Sequence, residues 1–172
     1  MGTRGLFGFY FKSKYYLIYN HFDSYPDGLG DKLIKEIIEA IKNGELDKWM
    51  KMLLDIKIVS TEKQPTTEDI TELEKYTNLE VSYRSKNDWY CLLYKTQGSF
   101  KKVLESGYLL IEPNSEKLQG DIFIEYSYVL DFDNKIFRFF ASEGYQTKLK
   151  LTLEELDKWN EEKKLYYDLS KH

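Results

Sequence analysis

The residues whose types and spacing allow chemistry crowd into one stretch, Asn20-His21-Phe22-Asp23-Ser24-Tyr25-Pro26-Asp27-Gly28-Leu29-Gly30, with Arg4 one hairpin upstream. Arg4 near His21 suits a phosphate or carboxylate, and Phe22 and Tyr25 suit the flat face of a base or sugar. The competing reading is that Arg4 pairs with Asp23 or Asp27 and locks the loop. His21 works as a general base only beside a partner that the sequence does not place. Asp23, Asp27, Glu125, Asp131 and Asp133 are the acids from which a Mg²⁺ site or an acid–base pair would be built. Asp131 and Asp133, however, fall at a hairpin turn, where aspartate is ordinary. Gly28-Leu29-Gly30 ahead of a helix is similar to turns that cradle phosphate, but no Gly-Lys-Ser/Thr follows and Asp31 puts a carboxylate where the anion would sit. The spacing predicts instead a turn in which Pro26 presets φ and Gly28 and Gly30 take unusual backbone angles. The ligand-binding residues expected are Arg4, Asn20, His21, Asp23, Tyr25 and Glu125.

Composition narrows the chemistry further. With only Cys91, His21 and His172 there is neither an internal disulfide nor a zinc-spaced ligand set, and no cofactor motif is complete, so no metal and no cofactor is expected. Twenty-five basic against 29 acidic residues leave a net charge of −4, which disfavours a non-specific grip on nucleic acid. No apolar run of about 18 residues is present to cross a bilayer, and the first thirty residues carry charge too early for a signal peptide. Met1-Gly2 lacks the Ser or Thr at position 6 that myristoylation needs, and no Asn-x-Ser/Thr sequon occurs. These features predict a cytoplasmic chain with no membrane partner. A length of 172 residues with 42% hydrophobic content suits one domain, 1–172. Aromatic residues reach 16%, which favours strand packing.

The elements that position these residues follow from periodicity. Leu6 to Phe11 and Tyr15 to Tyr19, separated by Lys12-Ser13-Lys14, predict a β-hairpin. Its strands are apolar on both faces, which places it centrally in a layered fold. Asp31 is the expected cap of a helix whose stripe is Leu33, Ile34, Ile37, Ile38 and Ile41, ended by Gly44. Leu46, Trp49, Met50, Leu53 and Leu54 predict a second helix packed with the first as a layer over the sheet.

Ser60 to Thr67 is polar, contains Pro65 and reads as a loop. Thr67 to Leu73 reads as a short capped helix, and Leu79 to Tyr83 as a short strand. Asp88 to Tyr94 fits strand or helix, and Ser99 to Glu105 fits a helix or a connection. Asp121 to Asp131 and Lys135 to Ala141, around Phe132-Asp133-Asn134, predict a long hairpin. There Ile122, Ile124, Tyr126, Tyr128 and Leu130 share one face, and Phe123, Glu125, Ser127 and Val129 the other. Thr152-Leu153-Glu154-Glu155 is a capping box opening a charged helix to about Lys164. The sum is an α+β fold, a mainly antiparallel sheet built from two hairpins with helices packed on it.

Two stretches in matching order resemble an uncharacterised family of small proteins from fungi, phages and large DNA viruses. Gly2-Thr3-Arg4-Gly5 and Tyr19-Asn20-His21-Phe22-Asp23-Ser24-Tyr25-Pro26-Asp27-Gly28-Leu29-Gly30 are similar to that family's Gly-Thr-Arg start and Tyr-x-x-Trp/Phe-Asp-Gly-Tyr-Pro-x-Gly-x-Gly loop. Glu125-Tyr126-Ser127-Tyr128-Val129-Leu130-Asp131-Phe132-Asp133 resembles its Glu-Trp-Ala-Tyr-Val-Ile-Asp-Leu-Asp hairpin, with Ser24 in place of the common Gly and Tyr126 of the common Trp. The resemblance implies kinship and a viral setting, and no activity.

A looser resemblance is to N-terminal-nucleophile hydrolases. In those enzymes a processed N-terminal residue begins a strand, an Asn/Asp element closes the next, and the free amine of pKa about 8 serves as base. That resemblance implies a role for Asn20 and Asp23 beside residues 2–4. Gly2 has no side chain, so the nucleophile would be Thr3, freed by a further cleavage. The leading expectation is a non-enzymatic protein that binds a small polar or nucleotide-like ligand at the N-terminal hairpin and loop. The alternatives are an amide hydrolase of this N-terminal-nucleophile type and a protein-interaction module presenting exposed aromatics.

Overall fold

A computed structural model describes residues 3–112, 124–141 and 147–152. Strand β1 (Gly5–Phe11) turns into β2 (Lys14–Asn20) through Lys12 and Ser13, both left-handed at φ of 52° and 62°, the two-residue hairpin geometry that matches strand twist. One π-helical turn, Pro26–Gly30, runs into α1 (Asp31–Lys42), and α2 (Leu46–Leu54) follows. Strand β3 (Lys57–Val59) leads to α3 (Thr67–Glu72), α4 (Trp89–Leu92) and α5 (Phe100–Ser106), with 3₁₀ turns at Glu74–Tyr76 and Tyr94–Thr96. Strand β4 (Tyr108–Leu110) pairs in parallel with β3. β5 (Tyr126–Asp131), β6 (Ile136–Ala141) and β7 (Thr147–Thr152) complete a five-stranded sheet of order β2-β1-β5-β6-β7. The architecture is α+β, and every neighbouring pair in the large sheet is antiparallel except β1 with β5.

The period of two sorts the sheet into two buried faces. Phe7, Phe9, Ile18, Tyr128, Leu130, Phe137 and Phe139 meet the α1 stripe, Trp49 and Leu53 of α2, and Phe100 and Val103 of α5. Leu6, Leu17, Val129 and Phe140 form a second buried cluster on the other face. Burial of that apolar area at about 25 cal/mol per Å² is what drives the layers together. A third cluster, Val59, Leu73, Trp89, Leu92, Leu93 and Tyr108, ties the small sheet to α3 and α4. The Lys57 ammonium bonds the Asp69 carboxylate at 2.6 Å. Burial alone would raise the Asp69 pKa, but Lys57, the Thr66 backbone N–H and the Tyr108 hydroxyl hold it well below the carboxylate range.

Several expectations need correction. The first hairpin is not central: β1 is interior, but β2 is the edge strand of the sheet, covered on both faces all the same. Asp31 does not cap α1. The chain is already helical from Pro26, so no side-chain cap bond forms there. Ile124 does not share a face with Tyr126 and Tyr128, because it precedes the regular strand and joins the Leu6–Val129 cluster. Leu79 to Tyr83 is a run of turns, since the left-handed Ser82 and Arg84 (φ 52° and 51°) break any ladder. The short helix at Thr67 is capped one residue earlier, by Thr66 with Asp69 in a reciprocal box. Asp88 to Tyr94 and Ser99 to Glu105 resolve as helical, capped by Asp88 and Ser99. The positions of Ile122 and Phe123, and the helix expected after Thr152, lie outside the described residues.

Candidate ligand-binding site

The Asn20–Gly30 loop is held by a polar lock. The buried Asn20 amide donates to the Phe22 carbonyl at 2.7 Å and to Ser24 Oγ at 2.8 Å. The Tyr128 hydroxyl, from the middle of β5, donates to the Ser24 carbonyl at 2.8 Å. Asp23, at φ 53°, is the left-handed residue of the loop, and its carbonyl accepts the Leu29 N–H at 2.9 Å. Gly28 and Gly30 therefore do not take the unusual angles expected of them: Gly30 is right-handed helical at φ −57°. Gly28 is needed for space, because an added Cβ would lie 2.7 Å from the Asp23 carbonyl oxygen.

With the loop fixed, His21 and Phe22 project toward the segment 81–98. The His21 N–H donates to Gln97 Oε1 at 3.1 Å, and its Nδ1 meets the Tyr19 hydroxyl at 2.8 Å. The His21 and Phe22 rings sit edge to face at 4.2 Å, and Tyr90 and Tyr94 likewise at 5.8 Å. Between the two pairs lies a groove of about 480 Å³ lined by Tyr19, His21, Phe22, Tyr90 and Tyr94 together with Val81 and Ser82. Phe22 is 52% exposed despite being a large apolar ring. Burial raises the pKa of the Tyr19 hydroxyl, with the Arg4 charge opposing. Burial likewise raises that of Tyr90, with a Gln97 hydrogen bond opposing. Both hydroxyls are uncharged at neutral pH.

Phe22 and Tyr94 also border a second hollow of about 370 Å³, which holds Asn20, Asp23, Lys32 and Gln97. Gly98, at φ 79°, leaves the opening there: a Cβ on it would sit 3.4 Å from Asn20 Oδ1 and 3.6 Å from Lys32 Nζ.

Of the residues expected in the site, Asn20, His21 and Asp23 line these spaces. Arg4, Tyr25 and Glu125 do not. Arg4 and Glu125 are exposed and meet through the backbone, the Glu125 N–H donating to the Arg4 carbonyl at 3.0 Å, while the Tyr25 ring lies against Tyr126 at 6.1 Å. Among the described residues Arg4 forms no ion pair with Asp23 or Asp27, so neither acid is its lock.

The set of five acids is also split. Asp131 is fully buried against Arg138 at 2.7 Å and against Asn134, and the Asp133 carboxylate accepts the Lys12 and Ser13 N–H groups at 2.8 Å each. Both sit at the far end of β1 from Asn20 and Glu125, as the register Gly5↔Asn20 and Tyr10↔Asp131 requires. Among the described residues no three His, Cys, Asp or Glu side chains converge on a metal-sized space. Thr3 is 1% exposed, and among the described residues its hydroxyl has no hydrogen-bond partner. Sequence reasoning missed Tyr90, Tyr94, Gln97 and Lys32. The i, i+4 spacing of Tyr90 and Tyr94 was a usable signal for one shared helical face.

No protein family, no curated protein and no solved structure matches this chain.

Proposed function

We propose that the protein binds a small polar or nucleotide-like ligand, without turning it over, in the groove between the Asn20–Gly30 loop and the segment 81–98. The observation that carries this reading is the convergence of four aromatic side chains and His21, from two separate parts of the chain, on one open space. Ring walls of this kind accept a flat base on their faces, and tyrosine hydroxyls and imidazole supply edge hydrogen bonds.

The neighbouring hollow adds one cation, Lys32, a point charge suited to a phosphate, and one acid, Asp23. A lining with one charge of each sign favours a nucleoside or its monophosphate over a polyphosphate. The test is native mass spectrometry of small molecules that co-purify with the protein, followed by thermal-shift titration with adenosine, uridine and their monophosphates. Phe22→Ala and Tyr94→Ala should abolish the shift, Lys32→Ala should remove the preference for the monophosphate, and Arg4→Ala should change neither. Equal shifts in Phe22→Ala, Tyr94→Ala and wild type would remove the groove from consideration.

A further inference from the structure

Tyr19 and Tyr90 have a second side. Behind them lies a separate cavity of about 260 Å³, and we infer that it is a binding compartment for a small apolar molecule or a ring-bearing apolar substituent. Its wall is built from Ile18 of β2, Leu93 after α4, Val103 of α5, and Leu109, Leu110 and Ile111 in and after β4. Folded interiors pack as densely as organic crystals, and voids larger than a water are few. A partly open space of this size, ringed by branched side chains from four elements, is an apolar pocket rather than a packing void.

The space opens to solvent past Thr61 and Glu112, but water in its depth finds few free polar partners, because Thr96, Tyr108 and Gln97 of the wall are engaged with the protein. Thr96 Oγ1 donates to the Leu93 carbonyl at 2.7 Å, the Tyr108 hydroxyl reaches Asp69 at 2.7 Å, and Gln97 Oε1 accepts the His21 N–H. Thr61, which is exposed, and Glu112, which is half-buried, stand at the rim. A dry apolar cavity of about 150 Å³ takes benzene, so this larger one takes about ten non-hydrogen atoms, the size of indole. The inference rests on the cavity's own lining and stands whatever the groove binds.

The test uses the full chain, methyl-labelled at Ile, Leu and Val, titrated with toluene and with indole. Saturable shifts are expected at the Ile18, Val103, Leu109 and Leu110 methyls, with none at Leu6 and Val129 on the opposite face, and with a rise of a few degrees in Tm. Val103→Phe fills the space and should abolish both responses, whereas Phe22→Ala, at a residue that does not line this cavity, should keep them. Should Val103→Phe not fold, Leu93→Phe fills the same space from the α4 side. Absence of saturable shifts up to the solubility of both probes overturns the inference. So does an undiminished response in a folded cavity-filling variant.

Discussion

Tyr128→Phe is the sharpest probe of how β5 positions the groove. The Tyr128 side chain is fully buried and its hydroxyl spans the core to the carbonyl of Ser24, itself 0% exposed. Burial raises its pKa above the ordinary tyrosine range, with Tyr126, Asp31 and Asp27 acting in the same direction, so the group remains a donor. Phenylalanine keeps the ring contacts to Phe137 and Phe139, at 6.2 and 5.3 Å, and removes only the oxygen. A buried acceptor stripped of its donor costs about 1–3 kcal/mol. For a chain of this length that is a fall in Tm of roughly 2–12 °C, at about 2–4 °C per kcal/mol. Urea unfolding should show a lower midpoint at unchanged m, and amide exchange should quicken within residues 21–30.

Asn20→Ala removes two bonds from the same lock and should be non-additive with Tyr128→Phe, because both hold Ser24. A midpoint unchanged by Tyr128→Phe, with the loop amides as protected as before, would refute the idea that this hydroxyl fixes the loop.

Three further outcomes follow from the geometry. Gly8→Ala places a Cβ 1.9 Å from the Tyr16 carbonyl oxygen, a backbone atom that cannot swing aside. The hairpin should lose about 3 kcal/mol or more, read as loss of the cooperative transition in circular dichroism. Glu36 is raised in pKa chiefly by burial, against hydrogen bonds from Ser99 and the Phe100 N–H and the charge of Lys32. Its folded pKa lies above the unfolded value of about 4.3, so its contribution is complete below that pH and is lost as pH rises through the folded pKa. The difference in urea midpoint between wild type and Glu36→Gln should therefore shrink or reverse on going from pH 4 toward neutrality, and a pH-independent difference would count against it. Asp133→Ala frees the Lys12 and Ser13 N–H groups and should cost about 1 kcal/mol in urea unfolding. Replacing Lys12-Ser13 with Asn-Gly, residues at ease with positive φ, should recover it.

Local periodicity was enough for the parts of the fold that are locally coded. The Leu33, Ile34, Ile37, Ile38 stripe is buried as its spacing requires, and both apolar hairpins are present. The three-residue strands β3 and β4 carry no period long enough to read, and they exist because distant segments meet in parallel. Asp131 shows the same divide. From the sequence it is a turn residue, while in the fold it is a fully buried anion satisfied by Arg138 from the neighbouring strand.

The candidate site divides likewise. Sequence alone singled out Asn20, His21 and Asp23 as a polar group on a Pro/Gly-shaped loop, because side-chain chemistry and turn propensity are properties of neighbouring residues. That Arg4, Tyr25 and Glu125 fall outside these spaces, that Tyr90 and Tyr94 wall the groove, and that Gln97 and Lys32 line the hollow beside it, was decided only by tertiary packing. Those contacts join residues far apart in the chain, and no local preference encodes which distant ring will face His21.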